Sequence, residues 1–271
     1  MAAAVAAAAQ ERPLRLPAVP DSLRNAADRA AYVLLHYWDG MDWHDTEAMA
    51  DTAFVERAFA DFAAVMPHAR VTDMARAVDS LMDAAESAGA AGRIAGIALR
   101  YLGEADSPVY CPDCLLPFLA RAIARGTASQ REIALRDELS ALAPGATAPQ
   151  LLLRAADGDT VPLILSACPT LLLFYDSGCT DCTRLIGRMQ SDSALAAVVA
   201  GGALRIVAVE MKDNADATPL PSGWTPAGAV NPDDVYVAWQ LVRLPSLWLL
   251  GSDGHILLRD TTPAAIAATL H

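Results

Sequence analysis

Cys179-Thr180-Asp181-Cys182 is the tetrapeptide with the most chemical content in this 271-residue chain. Two thiols at this spacing can close a local disulfide, hold half of a zinc site, or exchange electrons with another disulfide. The surrounding sequence separates these cases. The pair follows a wholly apolar run, Leu171-Leu172-Leu173-Phe174-Tyr175, that reads as a buried strand, and it opens a helical segment from Cys182 to Met189. At a helix N-terminus the first thiol meets unpaired backbone N–H groups and the positive end of the dipole, which stabilise its thiolate. The i, i+3 spacing brings the second sulfur within reach to resolve a mixed disulfide. Redox exchange is therefore the leading expectation, with half a zinc site and an inert bridge as the alternatives.

Neighbouring residues refine that expectation. Asp176 and Asp181 place negative charge close to the dithiol, which disfavours the thiolate, raises its pKa and points to a reducing pair. Arg243-Leu244-Pro245-Ser246-Leu247-Trp248 sets a proline directly before an apolar strand. Proline cannot donate within a central ladder, so it belongs at a strand start or bulge, a setting that suits a cis peptide.

A second CxxC, Cys111-Pro112-Asp113-Cys114, follows a loop-like Ser107-Pro108-Val109-Tyr110 and precedes an apolar helical run from Leu115. Cys111 is thus expected near an N-cap with Pro112 at the first helical position, where a missing N–H costs nothing. A local bridge, two free thiols, an electron relay with Cys179/Cys182 and a shared four-cysteine zinc site all remain open. Cys168 reads as a small buried hydrophobe beside a strand. His36, Asp39, Asp42, His44 and Asp45 form a dense polar cluster, better suited to helix capping and a solvated loop than to a metal. Trp224 and Trp239 are candidates for a binding surface or for core. No Ser/His/Asp arrangement and no phosphate-cradling glycine loop stands out, and no cofactor or metal is expected.

The elements that must hold these residues fall into two blocks. From Asp21 to about Leu142 the apolar spacing is helical, as in Met74, Val78, Leu81, Met82 and Ala85. Gly126 stops one helix and Ser129-x-x-Glu132 reads as a capping box that starts another. After Pro144-Gly145 the pattern turns to strands. Leu151–Leu153 and Val161–Leu165 around Asp157-Gly158 read as a hairpin, Thr170–Tyr175 and Leu204–Val209 as buried strands, and Trp248–Leu250 and Ile256–Leu258 as a second hairpin. Thr262–Leu270 closes the chain as a helix. The expected order is ββ-β-α-β-loop-ββ-α, in an α/β domain preceded by an all-α one. The division is 1–19 as a signal remnant or disordered terminus, 20–142 helical, and 143–271 α/β.

Composition supports this and removes other classes. Hydrophobic residues make up 54% and charged residues 19%, ample for a core and unlike a disordered chain. The net charge of -12 repels phosphate backbones, so nucleic acid is an unsuitable partner. No run of about 18 strongly apolar residues marks a membrane span. Lys212 is the sole lysine, read as coding bias and not as function. Ala7-Ala8-Ala9 before Gln10 looks like the end of a secretory signal, although no Lys or Arg precedes Arg12, as a start codon set too far downstream would explain.

Together these residues resemble the thioredoxin-like superfamily, and within it the TlpA/ResA-type exported thiol–disulfide proteins. Pro144-Gly145-x-x-Ala148-Pro149-x-Leu151 with Asp157-Gly158 looks like the opening strands of that branch. Leu172-x-Phe174-Tyr175-x-x-x-Cys179-x-x-Cys182 is similar to its active-site strand and helix, and Leu244-Pro245-Ser246-Leu247-Trp248 with Asp253-Gly254 to its cis-proline strand and hairpin. Residues 20–140 look like an uncharacterised helical domain found ahead of such modules. The resemblance implies a periplasmic or envelope oxidoreductase acting on protein or small-molecule disulfides, supplied by an unidentified electron donor. Cys179 would attack, Cys182 would resolve, and Leu244-Pro245 would position the substrate backbone. Three features depart from the pattern: Gly178 before the first cysteine, Thr-Asp between the two, and a long stretch from Asp213 to Asp234. The competing class is a binding protein of the same fold with a structural disulfide. A peroxidase is a weaker third, because Asp176 stands where peroxidase relatives carry threonine.

Overall fold

The computed structural model describes residues 14, 16–155, 157–212 and 219–270. The Met1–Gln10 segment, read above as a signal, lies outside the described residues, as do residues 213–218 of the long stretch. The chain divides into two compact units between Asp137 and Glu138.

The first unit is helical: α1 (Ala26–His36), α2 (Thr46–Ala50), α3 (Thr52–Val65), α4 (Val71–Ser87), α5 (Ala91–Gly103) and α6 (Pro112–Ala124), with α7 (Gln130–Ser140) running across the division. A single 3-10 turn, Met66–His68, joins α3 to α4. Side-chain oxygens start several of these helices. Asn25, Asp45 and Asp51 each accept backbone N–H bonds at the heads of α1, α2 and α3, satisfying donors that have no intrahelical partner. Met74, Val78, Leu81, Met82 and Ala85 make one buried stripe along α4. Gly89, at φ 71, adopts the left-handed conformation that ends the turn beyond it. The core is aromatic: the ring of Phe59 lies 5.9 Å from that of Phe118, 6.2 Å from Tyr101 and 6.3 Å from Phe62. Arg121 ties α6 to α4 through Asp79 at 3.1 Å and Asp83 at 2.5 Å. The Ser129/Glu132 capping box forms as the sequence suggests, with Ser129 N–H donating to Glu132 Oε2 at 2.7 Å and Glu132 N–H donating to Ser129 Oγ at 3.2 Å.

The second unit is a seven-stranded mixed sheet in the order β2-β1-β5-β4-β3-β6-β7. Its strands are β1 (Leu152–Arg154), β2 (Thr160–Pro162), β3 (Thr170–Tyr175), β4 (Arg205–Glu210), β5 (Thr225–Ala229), β6 (Ser246–Leu250) and β7 (Ile256–Leu258). Helices α8 (Thr180–Ser191), α9 (Ser193–Ala200), α10 (Pro232–Ala238) and α11 (Pro263–Leu270) complete it. Strand β3 is parallel to β4 and antiparallel to β6, and all six of its residues are buried. Alternation splits them between two cores. Leu171, Leu173 and Tyr175 pack with Ile186 and Met189 of α8 and Ile266 of α11 on one face. Leu172 and Phe174 pack with Trp239, Trp248 and Val235 of α10 on the other. Burying one such side chain contributes roughly 1.5–3 kcal/mol, so the continuous apolar run makes β3 the spine of the unit.

The expected loop between β4 and the last hairpin needs correction. It contains β5, which pairs with β4 and β1 inside the sheet, and α10. Helix α9 was also not foreseen. The CxxC helix starts at Thr180, two residues earlier than the apolar pattern alone placed it.

Candidate functional site

The chemistry gathers at the C-terminal end of β3, where the strand leaves the sheet and the chain turns into α8. Cys179 is the N-cap of that helix: its sulfur accepts the Cys182 N–H at 3.4 Å. The turn before it is set by Asp176, whose Oδ1 accepts the Gly178 N–H at 2.8 Å. Glu210, at the end of β4 and in register with Tyr175, accepts the Ser177 N–H at 3.0 Å. The two ends of adjacent parallel strands therefore fix the loop that carries the first cysteine. Cys179 is half-buried and Cys182 is 0% exposed, packed behind it with Leu185 and Ile186. Both are free thiols.

The electrostatics centre on Cys182. Burial pushes its thiol up to about 12, and the neighbouring Cys179 and Asp176 add to the rise while the Asp176 N–H, 3.5 Å from the sulfur, opposes it. Tyr175 is likewise raised to about 12, first by burial and then by Glu210. The negative charges read from the sequence are each met by a cation. Lys212 Nζ stands 2.5 Å from Asp176 Oδ2, and Arg184 stands 2.7 Å from Asp181 on the exposed face of α8. Burial, more than these carboxylates, sets the high pKa of the second thiol.

Leu244-Pro245 immediately precedes β6, whose Ser246 pairs with Phe174 on β3. The Leu244–Pro245 peptide bond is cis. The register brings Pro245 alongside the end of β3 from which α8 departs. A groove of about 440 Å³ opens there, lined by Leu185, Arg188, Pro245, Leu247 and Thr262 among others. Lys212 and Tyr236 were missed as site residues. The pKa of Tyr236 is raised by burial, lowered by Lys212 and raised by Asp176 and Cys182. The available signal was positional: Lys212 lies just past the end of β4, beside the end of β3.

The other candidates are placed elsewhere. Cys111 and Cys114 are joined by a disulfide at the head of α6. Cys168 is half-buried, not fully buried as expected, with its sulfur 3.3 Å from Ser166 Oγ. His36 Nδ1 pairs with Asp39 at 2.8 Å, Asp42 accepts the His44 N–H, and Asp45 caps α2. No group of three or more His, Cys, Asp or Glu among the described residues is arranged to hold a metal ion. Trp239 is fully buried core and Trp224 is partly buried. Among the described residues no helix is long and apolar enough to cross a membrane.

A central mixed sheet with helices on both faces and a CxxC at the head of the helix after its central strand defines a thioredoxin-like fold. A crystal structure of a thioredoxin-like protein from Bacteroides caccae is similar along nearly the whole chain, with TM-score 0.68 and 22% identity over 96% of this chain and 98% of the other. The thioredoxin domain of a thiol-disulfide oxidoreductase from Bacteroides vulgatus aligns with 48% of this chain and 96% of its own at 19% identity and TM-score 0.38. A comparison with curated proteins finds no match. Residues 2–138 match the family described as "Domain of unknown function (DUF5106)", and the chain belongs to that family.

Proposed function

We propose that the protein is an exported thiol–disulfide oxidoreductase in which Cys179 attacks and Cys182 resolves, most closely akin to the TlpA/ResA type. The observation that carries this reading is the paired placement of the thiols: Cys179 half-exposed at the head of α8, Cys182 fully buried behind it. In reduction, the Cys179 thiolate attacks one sulfur of a substrate disulfide, which releases one substrate thiolate and forms a mixed disulfide. Cys182 then gives up its proton and attacks Cys179 Sγ. The second substrate thiolate leaves, and the pair ends oxidised as the substrate gains two electrons. The groove beside Pro245 offers an apolar bed for the substrate chain flanking that disulfide. Export is supported by the small residues before Gln10 and by the oxidised Cys111–Cys114 pair, a bond that persists in oxidising compartments. The domain division at 142/143 belongs to the same proposal, with residues 143–271 as the oxidoreductase and 20–142 as a helical module.

Two measurements test the reading. The first is the redox potential. A buried second thiol that resists ionisation gives the reduced pair less thiolate stabilisation than an acidic thiol would, so the potential is expected near the thioredoxin value of about -270 mV. Titration against glutathione or dithiothreitol buffers under native conditions reads it. A value above about -180 mV would overturn the electrostatic argument, and a pair that stays oxidised until the protein unfolds would favour a binding protein with a structural bridge.

The second is the pH dependence of resolution. Only the Cys182 thiolate attacks, and with its pKa pushed up to about 12 the ionised fraction rises about tenfold per pH unit through neutrality. Decay of the mixed disulfide, followed by quench and mass spectrometry, is therefore expected to accelerate about tenfold per unit between about pH 7 and pH 9. A flat profile in that window would show that Cys182 deprotonation does not limit resolution.

A further inference from the structure

The Cys111–Cys114 disulfide has an arrangement that a structural staple does not need. Cys111 is the N-cap of α6 and its sulfur accepts the Cys114 N–H at 3.3 Å, with Pro112 at the first helical position. Cys111 is half-buried, whereas Cys114 is 1% exposed. The same four relations hold at Cys179 and Cys182: an N-cap sulfur, a bond from the i+3 N–H, a half-buried first cysteine and a fully buried second one.

The helical unit also has little use for the bridge as reinforcement. Disulfide stabilisation grows with the length of loop closed, and this one spans a sequence separation of 3. Helix α6 is fixed by other means. Leu115, Phe118 and Leu119 are buried, the Phe118 ring lies tilted 5.9 Å from that of Phe59, and Arg121 reaches Asp79 and Asp83 on α4. The Cys111 N–H donates to the Leu102 carbonyl at 3.0 Å, so backbone bonding holds the cysteine in place whichever redox state it is in.

We propose that Cys111–Cys114 is a second thiol–disulfide exchange centre, independent of Cys179/Cys182, that accepts electrons from a partner dithiol. The partner's thiolate attacks Cys111 Sγ, the sulfur of the less buried cysteine of the bridge. The Cys111–Cys114 bond breaks, a mixed disulfide forms on Cys111, and Cys114 leaves as a thiolate that takes up the proton shed by the attacking thiol. The partner's second thiol then loses its proton and attacks its own bridged sulfur, releasing Cys111, which is protonated. Two electrons and two protons pass to the cysteine pair, and the partner dithiol becomes a disulfide. A monothiol would be expelled by Cys114, held three positions away in sequence, so a dithiol is the productive reductant.

The test uses the full chain, air-oxidised and folded, equilibrated with dithiothreitol buffers of graded potential. Acid quench, alkylation and peptide-resolved mass spectrometry separate the Cys111/Cys114 peptide from the Cys179/Cys182 peptide, with helicity followed by circular dichroism. The expected result is a single two-electron transition of the Cys111/Cys114 peptide from linked to doubly alkylated, tenfold in ratio for about 30 mV, with helicity unchanged. A bridge that resists until denaturant is added, or thiols already alkylated in the air-oxidised protein, would overturn the proposal. Glutathione disulfide then probes the assignment of the attacked sulfur. Cys114→Ser should capture glutathione on Cys111 at least tenfold faster than Cys111→Ser captures it on Cys114, and equal rates would sink it. Should either variant fail to fold, the wild-type titration still decides. Because the peptides are read separately, failure here leaves the Cys179/Cys182 reading untouched, and the reverse also holds.

Discussion

Disulfide reduction by the Cys179→Ser variant is expected to fall to the uncatalysed background, a loss on the order of a thousandfold or more. The serine hydroxyl fills the N-cap and can still accept the Cys182 N–H, so α8 should form normally. What it cannot do is form the sulfur–sulfur bond of the mixed disulfide. Cys182 offers no substitute, since it is fully buried and its thiol is pushed up to about 12. The companion variant Cys182→Ser should behave differently: the first attack proceeds, resolution stops, and the substrate remains linked to Cys179. An insulin-type turbidity assay with mass analysis of adducts distinguishes the two. Near-full activity in Cys179→Ser, or adducts on Cys182 in place of Cys179, would reverse the roles assigned here.

Trp239→Ala is expected to cost about 3–5 kcal/mol of folding stability, a large part of the roughly 5–15 kcal/mol available to a domain. Trp239 is fully buried between Phe174 at 5.3 Å and Trp248 at 5.1 Å, the latter edge-on at 84°. Removing it opens a cavity beneath β3 and also strips two aromatic contacts, each worth roughly 0.5–1.5 kcal/mol beyond area. Its indole N–H has no partner among the described residues, which carries a cost of its own. Trp239→Phe deletes that orphan donor while keeping most of the ring, and should destabilise far less than alanine. Denaturant unfolding of the full chain, following the transition that carries the Trp signal, measures both. An alanine variant within about 1 kcal/mol of wild type would mean that the face of the sheet packed by α10 contributes little.

The fold class was legible in the sequence because its spine announces itself. Five consecutive apolar residues, Leu171–Tyr175, shortly before a CxxC leave few options other than a buried strand feeding a helix, and β3 and α8 follow that reading closely. Strand β5 was hidden because four of its five residues, Pro226-Ala227-Gly228-Ala229, argue against a strand by local preference. The structure explains why it is tolerated. Pairing with β1 ends at Arg154 opposite Gly228, so Pro226 lies beyond the point where the β1 side of the ladder needs a donor. Helix α9 is apolar on all sides and carries no periodic pattern, and α10 is only seven residues long. The Lys212–Asp176 pair was illegible for a different reason. It depends on the parallel register that sets Tyr175 beside Glu210, a relation between positions far apart in sequence.

Lys212 is the only lysine of the chain, and its side chain is 66% exposed while its ammonium rests on Asp176 behind the dithiol. Every other cationic side chain is arginine or histidine, which amine-directed reagents pass over. Once the α-amine is accounted for, an acylating dye, crosslinker or isotope tag has one address in the molecule, and that address is the rim of the thiol pair. The chain thus carries a built-in handle for a fluorophore beside Cys179 and Cys182, without any engineered residue, and the occupancy of that position by a substrate could be read from one site.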